Sequence, residues 1–217
     1  MSRKTDSSQI DRQAFGIRIL RPTHPELRSL RARHNPNYQG HRLWNATWLL
    51  MSFLETHGLT HGSRVIEAGC GWGLSGIYCA RVHNALVTAT DLDEKVFPFL
   101  ELHARHNEVS IDHTTADFTG IDHSMLTHQD LLIGADICFR PTMIDPLFDL
   151  VERALAAGVK RILLSDPGRP TFQTLAARCV ESLGGVEHPW QVEEPLISWE
   201  GSPVIIRGHL LTIGPWA

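Results

Sequence analysis

Residues 64–76 read RVIEAGCGWGLSG and contain two overlapping glycine patterns that predict different cofactors. The string from Gly71 to Gly76, GWGLSG, fits the G-x-G-x-x-G pattern of dinucleotide-binding turns. The string from Glu67 to Gly73, EAGCGWG, fits a second class of nucleotide-like cofactor site. In both classes a strand runs into a glycine turn and then a helix, so that backbone N–H groups approach the ligand without an intervening side chain. Both patterns therefore predict the same local structure, and only the register separates them.

The end of the first strand decides between the registers. The strand RVIEA ends at residue 68, so a dinucleotide turn should begin at Gly69, and its third glycine would fall on Leu74. Starting the turn at Gly71 restores the glycines but leaves Gly69 and Cys70 between strand and turn. In the E-x-G-x-G-x-G register, Glu67 stands at the strand end, and Asp91 ends the next strand, where an acid can bind ribose hydroxyls. The second register is favoured, and a nicotinamide-dinucleotide oxidoreductase is the alternative.

The order of elements predicts a Rossmann-like, doubly wound α/β domain. Apolar runs alternate with amphipathic stretches, as in a parallel sheet covered by helices on both faces. Seven strands are predicted at 64–68, 85–91, 113–118, 130–139, 161–167, 188–198 and 204–214. Helices are predicted at 41–58, 74–83, 93–107, 141–158 and 171–185. Only WEGSP separates the last two strands, so they should form an antiparallel hairpin.

Together, E-x-G-x-G-x-G, an acid closing strand two and a terminal hairpin resemble the class I (seven-β-strand) S-adenosylmethionine-dependent methyltransferases. The resemblance covers about residues 40–214. Three stretches are similar to the METTL21-like and electron-transfer-flavoprotein lysine methyltransferase group: GHRLWNATWLLMSFL (40–54), DLLIGADICF (130–139) and LLSDPGRP (163–170).

The resemblance implies a site for S-adenosyl-L-methionine at the carboxyl ends of the strands. The methionine portion is assigned to the acid and the turn that follow the first strand: Glu67, Gly69, Gly71, Trp72 and Gly73. The ribose is assigned to Asp91, and the adenine to Leu92, Asp117 and Phe118. Trp44, on the first predicted helix, is assigned as an aromatic cover of the cofactor. Ala135 and Asp136 line the floor near the reactive methyl group, and Asp136 is the candidate catalytic residue. Trp48 lies four residues after Trp44, on the same predicted helix face, and is assigned to the core.

The methyl acceptor is less defined. The lysine-methylating group usually carries D-x-x-Y after strand four, whereas this chain has Asp136 followed three residues later by Phe139, so a hydroxyl that would orient an amine is absent. The N-P-P-Y motif of base-amine methyltransferases is replaced by CFRP. The acceptor is a protein nitrogen, such as a lysine amine, or a small-molecule amine; a non-catalytic cofactor-binding scaffold is a further alternative. Arg140 and Arg169 are candidate contacts to an anionic acceptor or surface charges.

Charge separates a basic N-terminal extension, residues 1–39, from the methyltransferase domain, residues 40–217. Residues 1–42 carry nine Lys or Arg against three Asp or Glu, and the remainder carries eleven against twenty-one. A basic arm can mark an anionic partner. Nucleic acid is not favoured, because the basic residues are not interleaved with stacking aromatics.

Cysteines and apolar content indicate a cytoplasmic protein. The four cysteines are widely spaced and predict free thiols, and neither a secretory signal nor a membrane span is recognisable. The stretch HARH (103–106) places two imidazoles on one helix face, but no third ligand stands at a convincing spacing, so no metal site is predicted. The sequence makes no prediction of oligomeric state.

Overall fold

A seven-stranded sheet forms the centre of the computed structural model, which describes residues 12–37, 40, 42–193 and 205–216. A separate two-stranded hairpin precedes it in the chain. The strands are β1 (Arg12–Ala14), β2 (Ile17–Ile19), β3 (Arg64–Ala68), β4 (Leu86–Asp91), β5 (Asp112–Thr115), β6 (Leu131–Ala135), β7 (Arg161–Asp166), β8 (Val186–Glu193) and β9 (Ile205–Ile213).

The order of strands in the large sheet is β5-β4-β3-β6-β7-β9-β8. Neighbours from β5 to β7 pair in parallel, whereas β9 runs antiparallel to both β7 and β8. The predicted antiparallel hairpin of the last two strands is confirmed, with Val186 opposite Thr212 and Glu193 opposite Ile205. With β3 counted as strand 1, this order is 3-2-1-4-5-7-6, whereas the usual dinucleotide-binding sheet has the order 3-2-1-4-5-6. Insertion of the last strand between its two predecessors therefore distinguishes this sheet from the dinucleotide fold.

Helices cover both faces of the sheet, as the alternating sequence pattern predicts. One face packs against the second, third and fourth helices, and the other against the fifth, sixth and seventh. The helices are α1 (Pro25–Arg33), α2 (Ala46–His57), α3 (Leu74–His83), α4 (Phe97–His106), α5 (His123–Leu126), α6 (Ile144–Ala156) and α7 (Pro170–Leu183). Short 3-10 turns, Glu94–Val96 and Pro141–Met143, lead into α4 and α6.

Within the described residues, no helix combines the length and the apolar character that crossing a bilayer requires.

Several predicted boundaries are wrong by a few residues. Strand β6 ends at Ala135 rather than at 139, because Asp136 takes a φ of 63° and turns the backbone out of the sheet. Strand β5 ends at Thr115 rather than at 118. Helix α2 begins at Ala46, so Trp44 precedes the helix on which the sequence placed it. The end of the strand predicted at 188–198 lies outside the described residues.

The N-terminal segment contributes to the core. Ile17, Ile19, Leu20 and Leu27 are each at most 2% exposed and belong to the same apolar cluster as α2, α3 and α4. The side chain of Asn107, at the end of α4, accepts from the Arg18 N–H at 2.6 Å and donates to the Arg18 carbonyl at 2.8 Å. These paired bonds fix the β1–β2 hairpin on α4, although the sequence predicted neither the hairpin nor α1.

Candidate functional site

A cleft of about 260 Å³ opens at the carboxyl ends of the parallel strands. This edge is where open α/β sheets bind ligands, because the loops after successive strands converge there. Every predicted site residue except Gly73 borders the cleft: Trp44, Glu67, Gly69, Gly71, Trp72, Asp91, Leu92, Asp117, Phe118, Ala135 and Asp136. Gly73 lies just beyond it, at the N-cap of α3.

The turn between β3 and α3 depends on three glycines with left-handed backbone. Gly69, Gly71 and Gly73 have φ values of 65°, 52° and 70°, which only glycine adopts without strain. A Cβ on Gly69 would approach Ile137 to 2.6 Å, and one on Gly73 would approach Leu100 to 2.7 Å. A Cβ on Gly71 would meet no atom within 4 Å. Two of the glycines therefore permit close packing, and the third leaves free space at the cleft where a ligand can approach the backbone.

Gly76, the last glycine of the competing pattern, has a packing role in α3. A Cβ there would lie 2.6 Å from Oε2 of Glu67 and 3.0 Å from Cγ1 of Val87. Its N–H donates to the same Glu67 oxygen at 3.1 Å. The missing side chain thus makes room for the Glu67 carboxyl group, which accounts for this glycine without a dinucleotide.

Glu67 is a buried acid at the mouth of the cleft. It is 3% exposed, and it accepts hydrogen bonds from the Gly76 N–H and from the Ser75 hydroxyl. Burial raises the pKa of Glu67 to about 8, outweighing those hydrogen bonds, and the nearby Asp91 carboxylate raises it further. The residue is therefore mainly protonated at neutral pH, and a cation bound beside it would favour loss of that proton.

Asp91 joins the end of β4 to the glycine turn. Its Oδ2 accepts from the Gly71 N–H and its Oδ1 from the Asp93 N–H, both at 3.0 Å. Burial raises the pKa of Asp91, and these two backbone hydrogen bonds oppose the shift. Each carboxylate oxygen has a second lone pair. Both oxygens can therefore accept from a pair of neighbouring ligand hydroxyls.

Apolar and acidic groups lie together at the ends of β4 and β5. Leu92 is 50% exposed at the cleft, and Phe118 is half-buried nearby. Oδ1 of Asp117 accepts from the Thr119 N–H, from the Thr119 hydroxyl and from the Gly120 N–H, which lowers the pKa of Asp117. Because all three bonds use Oδ1, the other carboxylate oxygen is the one suited to a ligand amino group.

Asp136 takes part in an ion-pair network at the ends of β6 and β7. The Arg169 guanidinium binds Oδ1 of Asp136 and lies 2.8 Å from Oδ2 of Asp166, which is fully buried. Asp166 also accepts from the N–H groups of Gly168 and Arg169. Burial raises the pKa of Asp136, while Arg169 lowers it. The left-handed backbone of Asp136 belongs to the strained conformations that cluster at functional sites.

Sequence reasoning did not anticipate this pairing. Arg169 is neither a free surface charge nor available as an unpaired cation, because it already neutralises two carboxylates. The available signal was the S-D-P-G-R stretch (165–169), which runs from the last residues of β7 into the following turn and puts Asp166 and Arg169 three residues apart. Arg140 is exposed, with its guanidinium carbon 5.5 Å from the Phe139 ring centroid.

Two predicted aromatic residues have surroundings that the sequence did not foresee. Trp44 is half-buried beside the cleft, and the guanidinium carbon of Arg42 lies 3.8 Å from its ring centroid. The Trp72 indole stacks on Phe99 and His103, with centroids 6.0 and 5.1 Å apart, so this ring packs the turn against α4. Trp48 is 1% exposed in the core, as expected.

The cleft beyond Asp136 is largely apolar. Phe139 is half-buried there, at the position where a tyrosine would carry a hydroxyl, and Met143 and Pro146 complete the wall. Thr142 and Arg42 add polar groups to the rim. Four of these residues were not predicted, because no spacing signal marks which residues before a helix or in its first turn border a cleft: Arg42, Thr142, Met143 and Pro146.

Comparison with known proteins places the chain in a family. The sequence profile described as lysine methyltransferase matches residues 27–173. The "Protein N-terminal and lysine N-methyltransferase EFM7" of Yarrowia lipolytica is 31% identical over 134 residues, which are 58% of this chain and 45% of that protein. The "Electron transfer flavoprotein beta subunit lysine methyltransferase" of Xenopus laevis is 23% identical over 141 residues, 62% of this chain and 56% of that protein. The chain spans about half the length of these curated relatives.

A solved structure supports the fold. The precorrin-6Y C5,15-methyltransferase of Geobacter metallireducens superposes with a TM-score of 0.61, covering 87% of this chain and 96% of that one, at 13% identity. At this identity the likeness concerns the fold alone. The profile match extends from α1 to the start of α7 and includes the glycine turn, Asp91 and Asp136. On this evidence the chain belongs to the lysine methyltransferase family.

Proposed function

We propose that the protein transfers a methyl group from S-adenosyl-L-methionine to a nitrogen atom of a protein, such as a lysine amine. One observation carries the proposal: Glu67, the open face of Gly71, and Asp91 converge on a single cleft in a chain of the lysine methyltransferase family. The residues described above fit this cofactor, since the cleft offers an acid for an ammonium group, paired acceptors for a ribose and apolar walls for a base.

Each portion of the cofactor has a candidate partner. Glu67 would pair with the amino group of the methionine portion, and Asp91 would accept from the ribose hydroxyls. Leu92 and Phe118 would lie against the adenine, and Asp117 would accept from its amino group. Trp44 would cover the site from the segment before α2. When bound, the cofactor supplies an electrophilic methyl group on a sulfonium.

Asp136 is the proposed catalytic residue. An amine must be neutral to act as a nucleophile, so a protonated acceptor must lose a proton before the methyl group is transferred. The Arg169 pairing opposes the rise in the pKa of Asp136 that burial causes, and this carboxyl group can accept an N–H bond and orient the acceptor. Phe139 and Met143 would exclude water from the same space. Holding the acceptor in line can be worth about 7–11 kcal/mol.

Two observations bear on the methyl acceptor, and they favour different classes of amine. The names of the Yarrowia and Xenopus relatives specify protein lysines, and the first also specifies a protein N-terminus. These names favour a protein amine. Phe139 in place of a tyrosine favours a different acceptor, a small-molecule amine, because the hydroxyl that would orient a lysine is missing.

Transfer of a labelled methyl group separates these acceptors. The protein is incubated with labelled S-adenosyl-L-methionine and a cell lysate, and the products are divided by mass. Label in a protein band, absent with the Asp136→Asn variant, is the expected result. Label confined to the small-molecule fraction would identify the second acceptor class. Binding of the cofactor with no label in either fraction would contradict a methyltransferase and favour a scaffold.

A cytoplasmic location stays a prediction from the sequence.

A further inference from the structure

Three potential metal ligands meet where the N-terminal helix packs on α4. His24 and Glu26 belong to the start of α1, and His106 to the last turn of α4. One ligand atom from each lies within 4.8 Å of the other two. We propose that these side chains bind a divalent transition-metal ion of the zinc type, at a site separate from the cleft.

The geometry matches the size of such an ion. Zinc binds histidine nitrogen and carboxylate oxygen at about 2.0–2.2 Å, which puts tetrahedral ligand atoms roughly 3.3–3.5 Å apart. Nε2 of His106 already lies 3.0 Å from Oε1 of Glu26. The His24 and His106 rings are nearly perpendicular, at 83°, with centroids 5.3 Å apart. Two imidazoles on one tetrahedral ion would have centroids about 5 Å apart, so only small side-chain rotations would close the site.

An unsatisfied nitrogen points to a ligand. Nδ1 of His24 is buried and has no hydrogen-bond partner among the described residues. A buried polar atom without a partner is costly, by about 1–3 kcal/mol. A rotation of the His24 ring that presents Nδ1 to the ion would remove this cost, because a neutral imidazole nitrogen is a good ligand for first-row metals.

The second oxygen of Glu26 is already held. The Arg105 guanidinium binds Oε2 of Glu26, which leaves Oε1 directed at His106. Partners of this kind orient ligating carboxylates in metal sites. The pair of imidazoles in HARH does not itself form the site, because Nδ1 of His103 bonds the Phe99 carbonyl at 2.8 Å and its ring stacks on Trp72.

Metal binding here would fasten the N-terminal segment to the rest of the domain. After α1 the chain reaches Asn37, whose N–H binds the Asp93 carboxylate, and then Gly40, Arg42 and Trp44 at the cleft. An ion joining α1 to α4 would therefore stabilise the segment that carries the cleft's rim. The proposed role is structural, and it does not depend on the identity of the methyl acceptor.

Zinc titration of the metal-free 217-residue chain, followed by calorimetry, tests the site. We expect one equivalent of Zn²⁺ to bind, and His24→Gln and His106→Gln each to weaken that binding by at least about 100-fold, because loss of an outer partner alone costs 10–100-fold. His113→Gln is the matched control: Nε2 of His113 also lies 3.0 Å from a glutamate oxygen, of Glu101, but among the described residues no third ligand joins that pair. This variant should bind like the wild type.

Substitution by cobalt gives an independent readout. Co²⁺ held by these three side chains and one water is tetrahedral and absorbs strongly in the visible range. This absorption should appear at one equivalent in the wild type and in His113→Gln, and be lost in His106→Gln. Thermal unfolding of the metal-free variants checks that they are folded. The proposal is overturned if the wild type takes up no stoichiometric metal, or if the folded His24, His106 and His113 variants bind it equally.

Discussion

Affinity for S-adenosylhomocysteine, the demethylated form of the cofactor, is expected to rise about ninefold between pH 6 and pH 7. Burial holds the pKa of Glu67 at about 8 in the free protein, compared with 4.5 when unperturbed. Only about 1% of Glu67 is ionised at pH 6 and about 9% at pH 7. If the ligand's ammonium group pairs with the ionised carboxylate, the fraction of competent protein limits the apparent affinity. Both pH values lie below the pKa of an α-amino group, roughly 7.7–8.0, so the ligand's amino group stays mainly protonated over this range.

The direction of this pH dependence follows from the release of a proton by Glu67 on binding. The cation stabilises the ionised carboxylate and so lowers its pKa, and binding near pH 7 should therefore release about 0.9 proton from Glu67. Raising the pH removes that proton in advance and strengthens binding until the pH passes about 8. In the unliganded protein, the same raised pKa makes the free energy of unfolding fall as pH rises from about 4.5 to 8, by at most about 1.4 kcal/mol per pH unit.

Isothermal calorimetry in two buffers of different ionisation enthalpy measures both affinity and proton release. Glu67→Gln cannot titrate and should lose the slope between pH 6 and 7, whereas the exposed Glu101→Gln should retain it. Equal wild-type affinity at the two pH values would refute the pairing, as would a ninefold slope that persists in Glu67→Gln.

Four further substitutions test the turn and the acceptor site. Gly73→Ala should lower the free energy of unfolding by about 1–3 kcal/mol in urea, because its φ of 70° and the contact with Leu100 both become strained. Gly71→Ala adds backbone strain without a clash, so it should lose less stability than Gly73→Ala but more affinity for the cofactor. The reverse order would contradict the assigned roles of the two glycines. Asp136→Asn should reduce kcat about 10²–10⁴-fold in a methyl-transfer assay while cofactor affinity in calorimetry changes little, and unchanged kcat would exclude it as the catalytic group. Phe139→Tyr should raise kcat for a lysine acceptor if the missing hydroxyl limits its orientation, and a fall or no change would remove that explanation.

The sheet and the position of the cleft could be predicted because their signals are local in sequence. Buried parallel strands appear as short apolar runs, and an acid such as Glu67 or Asp91 at the end of such a run must lie at the carboxyl edge of the sheet. The glycine spacing adds the backbone conformation of the turn. These features place the cleft without knowledge of tertiary contacts.

Other parts of the molecule depend on pairs of residues far apart in the chain. Asn107 binds the backbone of Arg18 across 89 positions, so nothing near residue 18 indicates that the N-terminal hairpin docks on α4. Arg169 reaches Asp136 across 33 positions, and a basic residue after a strand is usually exposed. Trp44 was placed on α2 because its four-residue spacing from Trp48 matches a helix, but the helix begins two residues after Trp44. Periodicity cannot distinguish a helix from the segment that leads into it.

Calorimetric binding of S-adenosylhomocysteine to Asp91→Ala is the decisive test of whether this cleft holds the cofactor. We expect the wild type to bind one equivalent and the variant to bind at least about 100-fold more weakly, because two charge-assisted hydrogen bonds of about 1.5–3 kcal/mol each are removed. Asp122→Ala, which removes an exposed N-cap carboxylate of α5, should leave binding unchanged. Wild-type affinity in a folded Asp91→Ala protein would contradict the assignment of this cleft to the cofactor.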